Sequence, residues 1–205
     1  MIEVHDLSKK LKKNNVLQNI TYTFEKGRIY GLVGKNGSGK TMLLRAIAGL
    51  IIPTEGSVTI NEKVLHKDIS FPPSIGIIIE NLELLPQFDA ETNLKILAAI
   101  KKTASLEDIQ HAIKRLELDR FGTLKVRKYS LGMKQRLNIA QAIFEKPEII
   151  LLDEPTNAID EKGVELDIFQ EERERGATII IATHNKEDVF PICDEVIEIS
   201  NGRLK

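Results

Sequence analysis

The sequence predicts an α/β fold in which a parallel sheet is flanked by helices, with an antiparallel β subdomain near the N-terminus and an inserted helical subdomain. Three observations predict it. An apolar run, Arg28 to Val33, meets a glycine-rich octet, Gly34 to Thr41, and a helix-period segment, Met42 to Ala48, follows at once. Helical periodicity then holds the interval from about Ala90 to Phe144. After it, strand and helix patterns alternate, and such alternation implies a parallel sheet.

The elements follow in order. Strand patterns occupy Ile2 to Leu7, Val16 to Phe24, Arg28 to Val33, Ser57 to Ile60 and Ser74 to Ile79. Turn signals separate them at Lys26-Gly27, Pro53 to Gly56 and Pro72-Pro73. The basic run Lys9, Lys10, Lys12, Lys13, followed by Asn14-Asn15, reads as a solvated hairpin turn. Leu94, Leu97 and Ala98 line an amphipathic helix; Ser105 caps the next, whose apolar face is Ile109, Ala112, Ile113 and Leu116. Then come a strand, Ile149 to Leu152, a charged helix, Glu161 to Arg175, and strands Thr178 to Ala182 and Glu195 to Ile199. The expected organisation is one domain, residues 1–205. Residues 1–79 and 145–205 form the core with its β subdomain, and residues 80–144 the helical subdomain.

Composition narrows the class. The chain of 205 residues is 42% hydrophobic, and its 29 basic and 30 acidic residues nearly cancel. No broad electrostatic footprint for nucleic acid is present, and no direct nucleic-acid partner is expected. Cys193 is the single cysteine, which excludes an internal disulfide and fits a reducing cytosol. The N-terminal residues lack the apolar block of a signal peptide. The longest apolar stretch, Met42 to Ile52, contains Arg45 and is too short for a membrane span. Membrane association is therefore expected to come through a partner.

The octet Gly34-Lys35-Asn36-Gly37-Ser38-Gly39-Lys40-Thr41 completes the pattern G-x-x-x-x-G-K-[ST] between strand and helix. This is the phosphate loop of a P-loop NTPase core. Its glycines let successive backbone N–H groups turn inward at the positive end of a helix, so the loop is an anion nest. Lys40 can reach β- and γ-phosphate oxygens, and the Thr41 hydroxyl can bind Mg²⁺. The expected ligands are a nucleoside triphosphate and Mg²⁺. Further along, Ile149 to Glu154 is an apolar strand ending in two carboxylates. Ligands in open α/β sheets sit at carboxyl ends of strands, so Asp153 is the expected Mg²⁺-side acid. Glu154 is placed to orient and deprotonate an attacking water. These features alone leave a kinase, a GTPase and a transporter motor open.

The remaining motifs are more specific. Tyr129-Ser130-Leu131-Gly132-Met133-Lys134-Gln135-Arg136 opens a helix, Asn157-Ala158-Ile159-Asp160 follows the carboxylate strand, and His184 follows the next strand. In this order the chain resembles the nucleotide-binding subunits of ATP-binding cassette (ABC) transporters over essentially its whole length. The resemblance implies that Ser130 and Gly132, the signature, contact the γ-phosphate of ATP held by an opposite subunit. It implies that Asp160 stabilises the contact between protomers, and that His184 touches the γ-phosphate and steadies the water and Glu154. A serine cap with exposed N–H groups at a helix start suits an anion.

Several positions depart from the pattern. Glu80 stands where a glutamine is usual, after Ile75-Gly76-Ile77-Ile78-Ile79, and can still serve Mg²⁺. A glutamate there resembles the subgroup that moves lantibiotics, bacitracin-like compounds and related peptides. Leu131 replaces the first signature glycine and Met133 a polar residue, whereas Ser130 and Gly132 are kept. Leu11 matches the position where an aromatic usually stacks on adenine. Met42 follows Thr41 where a second hydroxyl is common, leaving its backbone N–H for the α-phosphate.

The resemblance therefore implies an ATP-hydrolysing subunit that dimerises, with itself or a homologous chain, over two ATP molecules. It would drive export of a substrate, an antimicrobial-type peptide by analogy, through a separate integral membrane permease. Its place would be cytoplasmic, held peripherally at the cytoplasmic face of the membrane. The alternative is a non-transport ABC ATPase acting on nucleic acid or the ribosome. A phosphate-loop kinase would leave the signature and His184 unexplained.

Overall fold

The computed structural model describes residues 1–79, 84–155, 162–188 and 191–205. In chain order the strands are β1 (Ile2–Leu11), β2 (Asn14–Phe24), β3 (Ile29–Val33), β4 (Glu55–Ile60), β5 (Lys63–Val64), β6 (Ile75–Ile78), β7 (Ile149–Asp153), β8 (Thr178–Thr183), β9 (Glu195–Ser200) and β10 (Arg203–Leu204). The α-helices are α1 (Lys40–Ile47), α2 (Ala90–Lys101), α3 (Leu106–Arg115), α4 (Leu131–Ile143) and α5 (Lys162–Glu174).

Two sheets result. The first is antiparallel, in the order β2-β1-β4-β5, and the second has the order β10-β9-β3-β8-β7-β6. In the second, β9, β3, β8, β7 and β6 run parallel and only β10 turns back, against β9. Its central strands show why. All residues of β3 and β8 are buried, as is the Ile-Ile-Leu-Leu of β7. Uninterrupted apolar runs are what a sheet covered on both faces requires.

Side-chain alternation then divides the core in two. Ile29 and Val33 of β3, with Ile150, Leu152, Ile179 and Ile181, face the layer built by α2, α3, α4 and α5. Tyr30, Leu32, Leu151, Ile180 and Ala182 face the other way, onto Leu43, Leu44 and Ile47 of α1 and the antiparallel sheet. The site thus sits on a sheet edge held from both sides. Cys193 lies partly under the first layer, and burial, with Asp194 beside it, pushes its thiol up to about 12. It is a protonated packing residue at neutral pH.

Some boundaries differ from the sequence reading. β1 continues to Leu11 rather than Leu7, because register shifts after Val4, with Asp6 at φ 43°, let it keep pairing with β2 through a bulge. The hairpin turn falls at Lys12-Lys13, where Leu11 faces Asn14. Phe24 is fully buried and Tyr22 packs against the same core. β5 and β10, of two residues each, carry too little pattern to be read in advance. Ser105 caps α3 through a reciprocal box with Asp108. Among the described residues no helix is long and apolar enough to cross a membrane.

Candidate nucleotide-binding site

Strand register assembles the site. Val33 pairs with Thr183, and Asp153 with Ala182, so β3, β7 and β8 end level with one another. The next residues, Gly34, Glu154 and His184, therefore emerge along one edge, where ligands of open parallel sheets bind. Backbone bonds set their spacing: Gly34 N donates to Thr183 O (3.3 Å) and Glu154 N to Ala182 O (2.8 Å).

The phosphate loop closes into α1 at Gly39, whose φ of 114° and ψ of 0° suit glycine alone. A Cβ there would also lie 2.9 Å from Val16 O. Ser38 N donates to Lys35 O (3.1 Å), and Gly202 N donates to Ser38 O (2.8 Å), so the turn before β10 braces the loop. Lys40 is only 5% exposed. Its Nζ donates to Gly34 O (2.7 Å) and reaches Lys35 O (3.4 Å) and Glu154 Oε1 (3.9 Å). The ammonium thus lies across the mouth of its own loop. Ser38 is buried too, and its Oγ finds no partner among the described residues. An orphaned hydroxyl inside an anion nest is satisfied by a phosphate oxygen.

The acidic half stands opposite. Thr41 Oγ1 donates to Asp153 Oδ2 at 2.6 Å. Two hard oxygens, one anionic, converge there, which fits Mg²⁺, an ion that takes one or two protein oxygens and completes its shell with phosphate and water. Among the described residues there is no group of three or more His, Cys, Asp or Glu that could hold a metal ion. Glu154 takes a left-handed backbone, φ 49°, which turns its side chain out of the strand. Its Oε2 accepts from Thr183 Oγ1 (3.2 Å) and meets His184 Nδ1 at 2.9 Å. A carboxylate only accepts, so Nδ1 carries the proton in this contact and, in the neutral ring, Nε2 is left as the acceptor.

The signature segment lies elsewhere. Ser130 caps α4, its Oγ accepting from Met133 N at 3.2 Å, and among the described residues it bonds to nothing on the phosphate loop. Ser130 is exposed, Leu131 is 69% exposed and Gly132 is partly so. Leu11 is 43% exposed at the hairpin, and Met42 packs partly into the second core. Lys35, Asn36 and Gly37 form the open crest of the loop. The expected metal residue Glu80 and the expected protomer contact Asp160 lie outside the described residues.

Two residues escaped the sequence reading. Thr183 ends β8 fully buried, bonding Glu154 through its side chain and accepting from Asn185 N (3.1 Å). Its one signal was its place between an apolar strand and His184. Gln135, on the signature helix, donates through Nε2 to Pro155 O at 2.7 Å.

A P-loop site with this edge, capped helix and histidine defines the nucleotide-binding cassettes. The family profile described as ABC transporter matches residues 17–157, and the chain belongs to that family as an ATP-binding subunit, an ABC ATPase. It is 67% identical over 207 residues to the uncharacterized ABC transporter ATP-binding protein YybJ of Bacillus subtilis (strain 168), covering 100% of this chain and 95% of that one. The bacitracin transport ATP-binding protein BcrA of Enterococcus faecalis is 34% identical over 208 residues, covering 100% of this chain and 68% of its own. Among solved structures, the dimeric form of the bacterial ABC transporter cassette MJ0796 superposes with a TM-score of 0.89 at 25% identity, covering 100% of this chain and 97% of that one. The same cassette in a post-hydrolysis state bound to ADP and Pi gives 0.87, with the same identity and coverage.

Proposed function

We propose that this subunit pairs with a second cassette over two ATP molecules and drives export through a separate membrane permease. The observation that carries the reading is a division within the chain. Lys40, Thr41, Asp153, Glu154 and His184 gather on one edge, whereas Ser130 caps the exposed start of α4 and, among the described residues, does not reach them. An exposed serine cap with free N–H groups is completed by an anion held on another molecule.

In this reading Gly34 to Met42 wrap the phosphates with backbone N–H groups, and Lys40 exchanges the Gly34 and Lys35 carbonyls for phosphate oxygens. Thr41 and Asp153, with Glu80, hold Mg²⁺, which when bound neutralises phosphate charge. Glu154 takes the proton of the attacking water. His184, oriented by its Nδ1–H bond to Glu154, offers Nε2 to the water or, once protonated, to the γ-phosphate. Ser130 and Gly132 close over the partner's triphosphate, and Asp160 steadies the junction. Residues 80–144 act as the helical subdomain, whose entry, Glu80 to Glu91, docks the permease and holds the subunit at the cytoplasmic face of the membrane. Bacitracin transport by a 34% identical relative supports a peptide-type cargo.

Glu154→Gln tests the composite site. It should bind ATP, slow hydrolysis by about 10²–10⁴, and double in mass by light scattering when ATP is added. Turnover equal to the parent's removes Glu154 from its role. Purification of the subunit from membranes, with mass spectrometry of what accompanies it, tests the permease. Charge reversal between Glu80 and Glu91 should leave hydrolysis running without transport.

A further inference from the structure

Helix α4 carries the signature at its start, yet its body is anchored on two sides at once. At its far end it presses on the main sheet: a Cβ on Gly76 of β6 would lie 1.8 Å from Ala142 O. Near its start, two successive residues reach in different directions. Arg136 Nη1 bonds Glu117 Oε2 (3.0 Å), just beyond α3. Gln135 Nε2 donates to the carbonyl of Pro155 (2.7 Å), the residue directly after Glu154. Pro155 is buried and, being proline, has no N–H of its own, and Glu154 before it already takes an uncommon backbone conformation. Displacing this turn changes where Glu154 points, and Gln135 is tied to its carbonyl.

We propose that Gln135 is a positioning residue that couples the two ATP sites of the closed pair. This rests on the composite-site reading above. In that arrangement Ser130 and Gly132 answer to ATP on the partner, while Glu154 serves ATP on its own subunit. Gln135 lies five positions after the cap Ser130 on the same helix, so a shift of the helix start on meeting the partner's triphosphate is delivered to the Pro155 carbonyl as a pull or a push. Occupation of one site then sets the carboxylate of the other. Coupling through one discrete contact between two rigid elements is a free-energy link, reciprocal between the sites.

Two variants, each made in the Glu154→Gln background and in the parent, test it. Gln135→Met keeps the length of the side chain and removes the donor. Gln135→Lys keeps a donor at the end of a chain of similar reach. For the parent, ATP-dependent turnover should be cooperative, with a Hill coefficient approaching the number of sites. Gln135→Met should bring that coefficient to near one and raise the ATP concentration for half-maximal dimer formation by about fivefold or more, at unchanged melting temperature. Gln135→Lys should restore both. A parent pair that doubles its mass with ATP and turns over cooperatively, beside a Gln135→Met protein that does the same, overturns the coupling role alone. A Glu154→Gln protein that stays single at saturating ATP overturns the composite-site reading and the coupling role with it.

Discussion

His184 Nδ1 and Glu154 Oε2 lie 2.9 Å apart, and the hydroxyl of Thr183 approaches the same oxygen at 3.2 Å. One carboxylate oxygen is thus held by two neighbours from the end of a single strand, leaving Oε1 toward Lys40 (3.9 Å). Because the two donors share an acceptor, their effects should not add. His184→Ala should lower the turnover number by about 10²-fold or more. Thr183→Val, which removes one bond to a charged group, should lower it about 10- to 100-fold. The double variant should lose clearly less than the product of the two, measured as steady-state ATP hydrolysis. Full additivity would show that Thr183 acts through packing rather than through Glu154.

The Lys40 ammonium is satisfied within the protein by the Gly34 and Lys35 carbonyls. Triphosphate must therefore offer it more than two neutral acceptors do, and charge-assisted bonds to phosphate oxygens do so. Lys40→Ala should weaken binding of a non-hydrolysable ATP analogue by at least about tenfold, the worth of one charged hydrogen bond. Titration calorimetry reads this directly. Affinity within twofold of the parent would place the phosphates elsewhere.

How much of this was legible follows from the distance over which each feature is written. The phosphate loop is eight adjacent residues, and its strand and helix flank it, so its chemistry could be read locally. The same holds for the apolar run of β7 ending in Asp153 and Glu154. His184 was legible only by its place after a strand. The contacts of Thr183 with Glu154 and of Gln135 with Pro155 join residues 29 and 20 positions apart. They depend on strand register and on the rotation of α4 about its axis, which no local pattern records. The left-handed turn at Glu154 was equally hidden, since glutamate carries no conformational signature as glycine does. Strand β1 was read short because its bulge at Asp6 breaks the alternation that marks a strand.

Gly76 controls the seat of the signature helix. A methyl group there would meet the Ala142 carbonyl oxygen at 1.8 Å and the Ala142 carbonyl carbon at 2.8 Å, both backbone atoms that cannot swing aside. Either α4 must lift or β6 must sink away from β7. Overpacking of this severity should cost about 3 kcal/mol or more, and for a chain of this size that lowers the melting temperature by roughly 6–12 °C. A melting temperature within about 2 °C of the parent's would mean that α4 yields freely at this point.

Asp108 makes stability depend on pH at the acid end. Its carboxylate accepts from Lys146 Nζ (2.6 Å), and from the hydroxyl and backbone N–H of Ser105, closing the cap of α3. Lys146 first and Ser105 second hold this acid well below its ordinary value of 3.8. A carboxyl whose folded value is depressed contributes stability that is fully present above the unfolded value and is lost as pH falls through the folded one. Asp108→Asn keeps the shape, weakens the capping bonds and removes the charge, so it should cost about 1 kcal/mol at pH 7. The difference between parent and variant should persist down to about pH 4 and shrink steadily below it. Urea unfolding followed across pH 2.5 to 7 measures it. A gap that is constant over that range would show that the carboxylate charge contributes nothing, and that only the shape of the cap matters.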